Sequence, residues 1–141
     1  MNYTFPISLI CLIGIFPFYA HTQSIEEQLA TLDSIGEYHF HNNNLDSSLL
    51  YNHQARRLSA RTGHIKEELI AYNWLFYLKV MSGETDSLAF YFEKMNPLAK
   101  KLEKELPEMA TVLSDYWNSK SYFHYSKGEY YDKLECDKKS L

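Results

Sequence analysis

A short pattern at the head of one segment returns forty residues later. Asp46-Ser47 followed by Tyr51 recurs as Asp86-Ser87 followed by Tyr91, each pair just after a turn. A third turn, Gly128-Glu129-Tyr130-Tyr131-Asp132-Lys133-Leu134, follows about 44 residues after the second. A period of this size means stacked supersecondary units rather than one closed core, because each unit buries its apolar face against the next. Two helices of roughly 16 to 20 residues with short loops fill such a unit.

The segments between the breaks are helical in pattern. With five Gly and four Pro in 141 residues, and no convincing period-two alternation, little else fits. The first helix is expected from Ser24 to His41, closed by Asn42-Asn43-Asn44, since Asn tolerates the left-handed conformation. The second is expected from an Asp46 N-cap to Arg61, with Thr62-Gly63-His64 as its break. The third, Ile65 to Ser82, carries Ile65, Leu69, Tyr72, Phe76 and Val80 on one face and Ile70, Trp74, Tyr77 and Met81 on another. Apolar residues nearly all round predict an internal helix covered on both sides. The fourth runs from Thr85 or Asp86 to Glu105, with a kink predicted at Asn96-Pro97. The fifth is expected to open at Pro107, with Glu108 at its positive end, and to bury Met109, Val112, Leu113, Tyr116, Trp117 and Phe123. Lys127-Gly128 ends it, and a sixth begins near Glu129. The fold class expected is therefore all-α: an antiparallel helix-pair stack of about six helices.

These residues resemble the tetratricopeptide repeat family. SYFHYSKGEYYDKL is similar to that family's junction, an aromatic-rich first helix, a Lys-Gly-acidic-Tyr turn and a second helix. NNNLDSSLLYNHQARRLSARTG and GETDSLAFYFEKM resemble its second helix and the approach to it. The likeness spans roughly residues 24 to 141, as two repeats and an incomplete third. Asn44 stands where the family has a turn Gly, Leu50, Phe90 and Leu134 are bulky where it favours small residues, and the units exceed its usual length. The resemblance implies an α-solenoid whose first helices line a concave groove for a protein or peptide. Long Tyr-rich repeats of this kind are similar to the exported sensor segments of bacterial hybrid two-component regulators. A sensory domain of such a regulator, as either a short relative or a truncated reading frame, is the alternative to a free-standing binding module of the cell envelope.

Residues 1–20 differ from the rest. Phe5 to Ala20 holds no charge and gives way to polar HTQSIEEQ, which predicts a signal peptide cut near Ala20, with an uncleaved anchor as the alternative. The helical repeat domain is then 21–141, exported to the periplasm or envelope, touching a membrane only if the leader stays attached. Cys11 does not fit lipidation, because Ile10 precedes it and apolar sequence continues past it. Removal of the leader leaves Cys136 as a lone thiol, so no internal disulfide is expected.

Chemistry is sparse. His39 and His41 are two apart and point about 200° apart on a helix, so one ion does not take both. His53 and His124 lack a ligand at helical spacing, and no metal is expected. Asp132, Glu135 and Asp137 around Cys136 are expected to raise its pKa and quiet the thiol. No phosphate-cradling Gly loop, Cys pair or zinc-peptidase motif is present, so no enzyme activity and no cofactor are expected. A net charge of −4 without a basic stripe argues against a nucleic-acid partner. From the resemblance, groove candidates on the first helices are Tyr38 and His41, then Trp74, Leu78 and Met81, then Asn118, Tyr122 and Tyr125. Packing competes with exposure for Trp74 and Leu78. The partner expected is a protein, a peptide or a second copy of the chain.

Overall fold

The computed structural model describes residues 23–106 and 108–141, and the leader and Pro107 lie outside them. Among the described residues six α-helices follow one another: α1 (Ile25–His41), α2 (Leu45–Thr62), α3 (Ile65–Met81), α4 (Leu88–Glu105), α5 (Ala110–Ser126) and α6 (Tyr130–Ser140). A single 3-10 turn, Thr85–Ser87, leads into α4, where the sequence predicts an α-helical start. Among the described residues there is no strand. Each helix packs on the next, as short connections require, and α3 also reaches past α4 to α5.

The repetition is visible in the backbone. Residues Asn43, Gly83 and Gly128 close α1, α3 and the α5–α6 junction in the left-handed conformation, with φ of 57°, 75° and 75°. In each turn the following N–H donates back five residues: Asn44 to the His39 carbonyl, Glu84 to Lys79 and Glu129 to His124, at 2.9, 3.0 and 2.9 Å. The left-handed residue itself donates three residues back, to Phe40, Val80 and Tyr125 respectively. That pair of bonds is the Schellman closure, which satisfies carbonyls a helix end would otherwise orphan. Burial keeps the same register: Ser48 and Leu88, Ala55 and Met95, Ser59 and Ala99 are buried pairs forty residues apart.

Helix ends follow local chemistry, with two corrections. Ser24 caps α1 through a reciprocal capping box with Glu27. The cap of α2 is Asn44, not Asp46: the Asn44 side chain accepts from the Ser47 N–H at 3.1 Å, which places Asp46 in the first turn. Asn44 follows the left-handed Asn43 and serves as a cap, so the turn forms without glycine. Helix α5 starts at Ala110 rather than Pro107, with Met109 at the cap position and no acidic residue in its first turn. Glu108 consequently precedes the helix instead of lying in its first turn.

The core runs through the middle of the stack. Leu69, Tyr72 and Phe76 of α3 meet Leu88, Tyr91, Met95, Ala99 and Leu102 of α4 and Tyr116 and Phe123 of α5. Of the residues expected to be buried by the fifth helix, Met109, Val112, Leu113 and Trp117 are only partly covered and ring this core. Pro97 lies inside α4 and brings no N–H, so the Glu93 carbonyl receives no bond from it. Beside it, Asn96 Oδ1 accepts from the Tyr116 hydroxyl at 2.9 Å, tying α5 to α4. Burial pushes the Tyr116 pKa up to about 12, with Cys136 and Glu103 adding to the effect.

Only one face of α3 is covered as predicted. Leu69, Tyr72 and Phe76 are buried, but on the second face Ile70 and Trp74 are half-buried and Tyr77 and Met81 are exposed. The apolar second face is an open wall.

Candidate functional site: the cleft between the third and fifth helices

Ile70, Asn73, Trp74 and Tyr77 are three and four residues apart, so α3 presents them together. Asp115, Asn118 and Ser119 share one face of α5 for the same reason. The two faces meet at a cleft of about 290 Å³ lined by these seven residues. Because α3 and α5 are the first helices of their pairs, the cleft lies on the first-helix side of the stack. Phe40 of α1 borders it, its ring 5.4 Å from Trp74 and 5.6 Å from Tyr77.

The chemistry of the cleft is uneven. Trp74 and Tyr77 stand nearly edge to face, 6.3 Å apart, and offer aromatic surface. Asn73 is 9% exposed, and among the described residues neither its Oδ1 nor its Nδ2 has a hydrogen-bond partner. A buried amide left unpaired costs about 1–3 kcal/mol, so its retention asks for a reason. Asp115 sits at the solvent edge, where partial burial raises its carboxyl above the ordinary range with no facing charge to offset it. No Lys, Arg or His is in the lining.

Two of the residues predicted to line a groove, Trp74 and Asn118, come together here. Tyr122 continues the same α5 face one turn on, its ring set edge-on to Phe76 at 6.3 Å and 39% exposed. Tyr125 is farther along, half exposed and against Tyr130. Met81 is exposed one turn beyond Tyr77. Leu78 is fully buried and belongs to the core. Tyr38 and His41 are not part of the cleft: Tyr38 lies on a shallow patch of α1 with Ala30, Thr31, Ser34 and Ile35, and His41 faces Glu37 at 3.5 Å. Helix α1 approaches α3 through Phe40, a residue between the two predicted positions. Helical spacing from Trp74 and Asn118 leads to Tyr77 and Asp115. Nothing in the sequence marks Asn73 as unpaired.

A second polar cluster has a structural explanation. His124, Glu129 and Asp132 bring ligand-type atoms within 4.8 Å of one another. Although His124 has no partner at helical spacing, the turn brings Glu129 to its Nδ1 at 2.6 Å. Lys79 and Glu84 make the same contact, also 2.6 Å, at the equivalent turn one repeat earlier. The cluster is thus a repeated clamp across the turn. Cys136 occupies the register position of Tyr91 and is 3% exposed. Burial is the main reason its pKa is raised; Lys120 and Lys139 oppose the shift, and Asp132 and Asp137 add only smaller contributions. The acidic neighbours named by the sequence are therefore the minor cause.

Fold and cleft together define a class: an all-helical stack of helix pairs, open along the side of its first helices. Compared with protein-family models, with curated proteins and with solved structures, the chain matches none.

Proposed function

We propose that the protein is a non-catalytic, tetratricopeptide-like module of the cell envelope that binds an extended segment of another protein in the α3–α5 cleft. The observation that carries this reading is Asn73: a buried amide without a partner among the described residues, lining an open cleft beside Trp74 and Tyr77. An amide offers one acceptor and two donors, which match the donor and acceptor of a peptide bond, and because both amide atoms of Asn73 are covered in the unbound chain, a turn of its side chain presents them to the cleft. Trp74 and Tyr77 supply the apolar contact that such backbone pairing needs to persist in water. The uncharged leader-like run before His21 supports export.

Selection of a random peptide library on the immobilised full chain tests the reading. Enriched peptides should bind the wild-type chain and lose about ten-fold or more in affinity with Trp74→Ala, in keeping with an aromatic anchor. The circular dichroism spectrum should stay helical in that variant. No enrichment, or binding indifferent to Trp74 and Asn118, would sink the proposal.

A further inference from the structure

Several aromatic rings of this chain carry a cation over one face. Trp117 carries Lys120 at 4.7 Å and Lys139 at 4.3 Å over its ring. Lys94 stands over Phe90, Lys127 over Phe123 and Arg56 over Tyr72. Ring faces attract cations because their quadrupole is negative at the face. Among the described residues no Lys or Arg stands over Trp74 or Tyr77, and the one acidic or basic side chain in the cleft lining is Asp115. Aromatic faces and an acid are thus gathered in one cleft that the chain's own cations leave alone.

We infer that the α3–α5 cleft selects a basic side chain of the bound peptide, holding its ammonium or guanidinium group between Asp115 and the Trp74 and Tyr77 rings while Asn73 pairs with the peptide backbone. This rests on the peptide-binding reading and names the residue class it selects. The charge complementarity is local: the lining holds one acid and no base. A basic side chain gains the carboxylate and the ring faces at once, whereas an acidic one meets Asp115 as a like charge and an aliphatic one gains the rings alone. Asn73 plays a separate part. Its amide recognises the peptide unit whatever side chain follows.

The chain has two tryptophans, so Trp117→Phe leaves Trp74 as the fluorescent reporter inside the cleft. The full chain carrying that change is titrated with acetyl-Gly-Ala-X-Ala-Gly-amide, X being Lys, Arg, norleucine or Glu. The Lys and Arg peptides should bind about ten-fold tighter than the norleucine peptide, with the Glu peptide weakest. Asp115→Asn should bring the Lys and norleucine peptides to within about two-fold of each other. Asn73→Leu should weaken all four by a similar factor and keep their order. Four peptides binding alike would overturn the charge selection and leave the peptide reading standing. An unchanged Lys preference in Asp115→Asn would overturn the role of Asp115. If none of the four binds, this inference fails, and the library selection judges the peptide reading separately. Spermidine binding as tightly as the Lys peptide would also overturn it, since a free polyamine needs no backbone contact.

Discussion

Gly36 lies in the middle of α1, where glycine normally weakens a helix. Replacement by alanine in an open helix gains about 0.5–1 kcal/mol, because it restricts the unfolded chain and covers backbone. Gly36 is buried against α2, and a Cβ built there would stand 2.8 Å from Asn52 Nδ2 and 3.7 Å from Tyr51 Cβ. The first distance is well inside ordinary contact. Asn52 is 1% exposed, and its Nδ2 donates to the Ser48 carbonyl at 2.9 Å, so it has no open space to retreat into. Displacing it breaks that bond at a cost of about 1–3 kcal/mol and adds overpacking of about 1–3 kcal/mol. Set against the helix gain, Gly36→Ala should destabilise by about 2 kcal/mol, which lowers Tm by roughly 6–12 °C in a domain of this size. Thermal melts followed by circular dichroism measure it. In an Asn52→Ala background the obstruction is gone, and Gly36→Ala should then raise Tm. The double-mutant coupling should reach about 2.5–3 kcal/mol. A rise in Tm on the wild-type background, or the same loss with and without Asn52, would refute the reasoning.

Asn73→Leu should raise Tm in the absence of ligand, because it removes an unpaired buried amide worth about 1–3 kcal/mol while keeping the same heavy-atom branching; a drop of similar size would show that the amide is satisfied in solution. Cys136 should react with iodoacetamide at neutral pH far more slowly than a free thiol and reach full rate only in denaturant; fast labelling of the native chain would contradict its burial. Asp137 is held below the usual carboxylate range by hydrogen bonds from Lys133 and Ser121. Its contribution is therefore complete above the unfolded pKa of about 4 and is lost as pH falls through its depressed folded value. The protection of α6 amides, taken as exchange relative to the intrinsic rate at each pH, should fall between pH 5 and pH 2.5, and Asp137→Asn should flatten that dependence; an equal slope in the variant would remove Asp137 from the account.

Much of the architecture is written locally. Helix closure depends on a few adjacent residues, so Asn42-Asn43-Asn44, Gly63, Gly83 and Gly128 announce their turns in the sequence, and the forty-residue return of Asp-Ser followed by Tyr marks equivalent places in two units. Six helices and their order of packing follow, because short turns leave each helix beside the one before it. Boundaries were less legible where two polar residues compete for one cap, as Asn44 and Asp46 do. The cleft belongs to the tertiary structure. The apolar second face of α3 looks from its composition like a buried surface; whether it is covered depends on how α5 sits against α3, and that is fixed by the remote contacts of Tyr116 and Phe123 with α4. The same packing leaves Asn73 without a partner, buries Cys136, sends Phe40 rather than Tyr38 or His41 toward Trp74, and turns Gly36 from a helix defect into a contact with Asn52. Periodicity assigns a residue to a face of its helix, but what stands opposite that face is decided by residues distant in the chain.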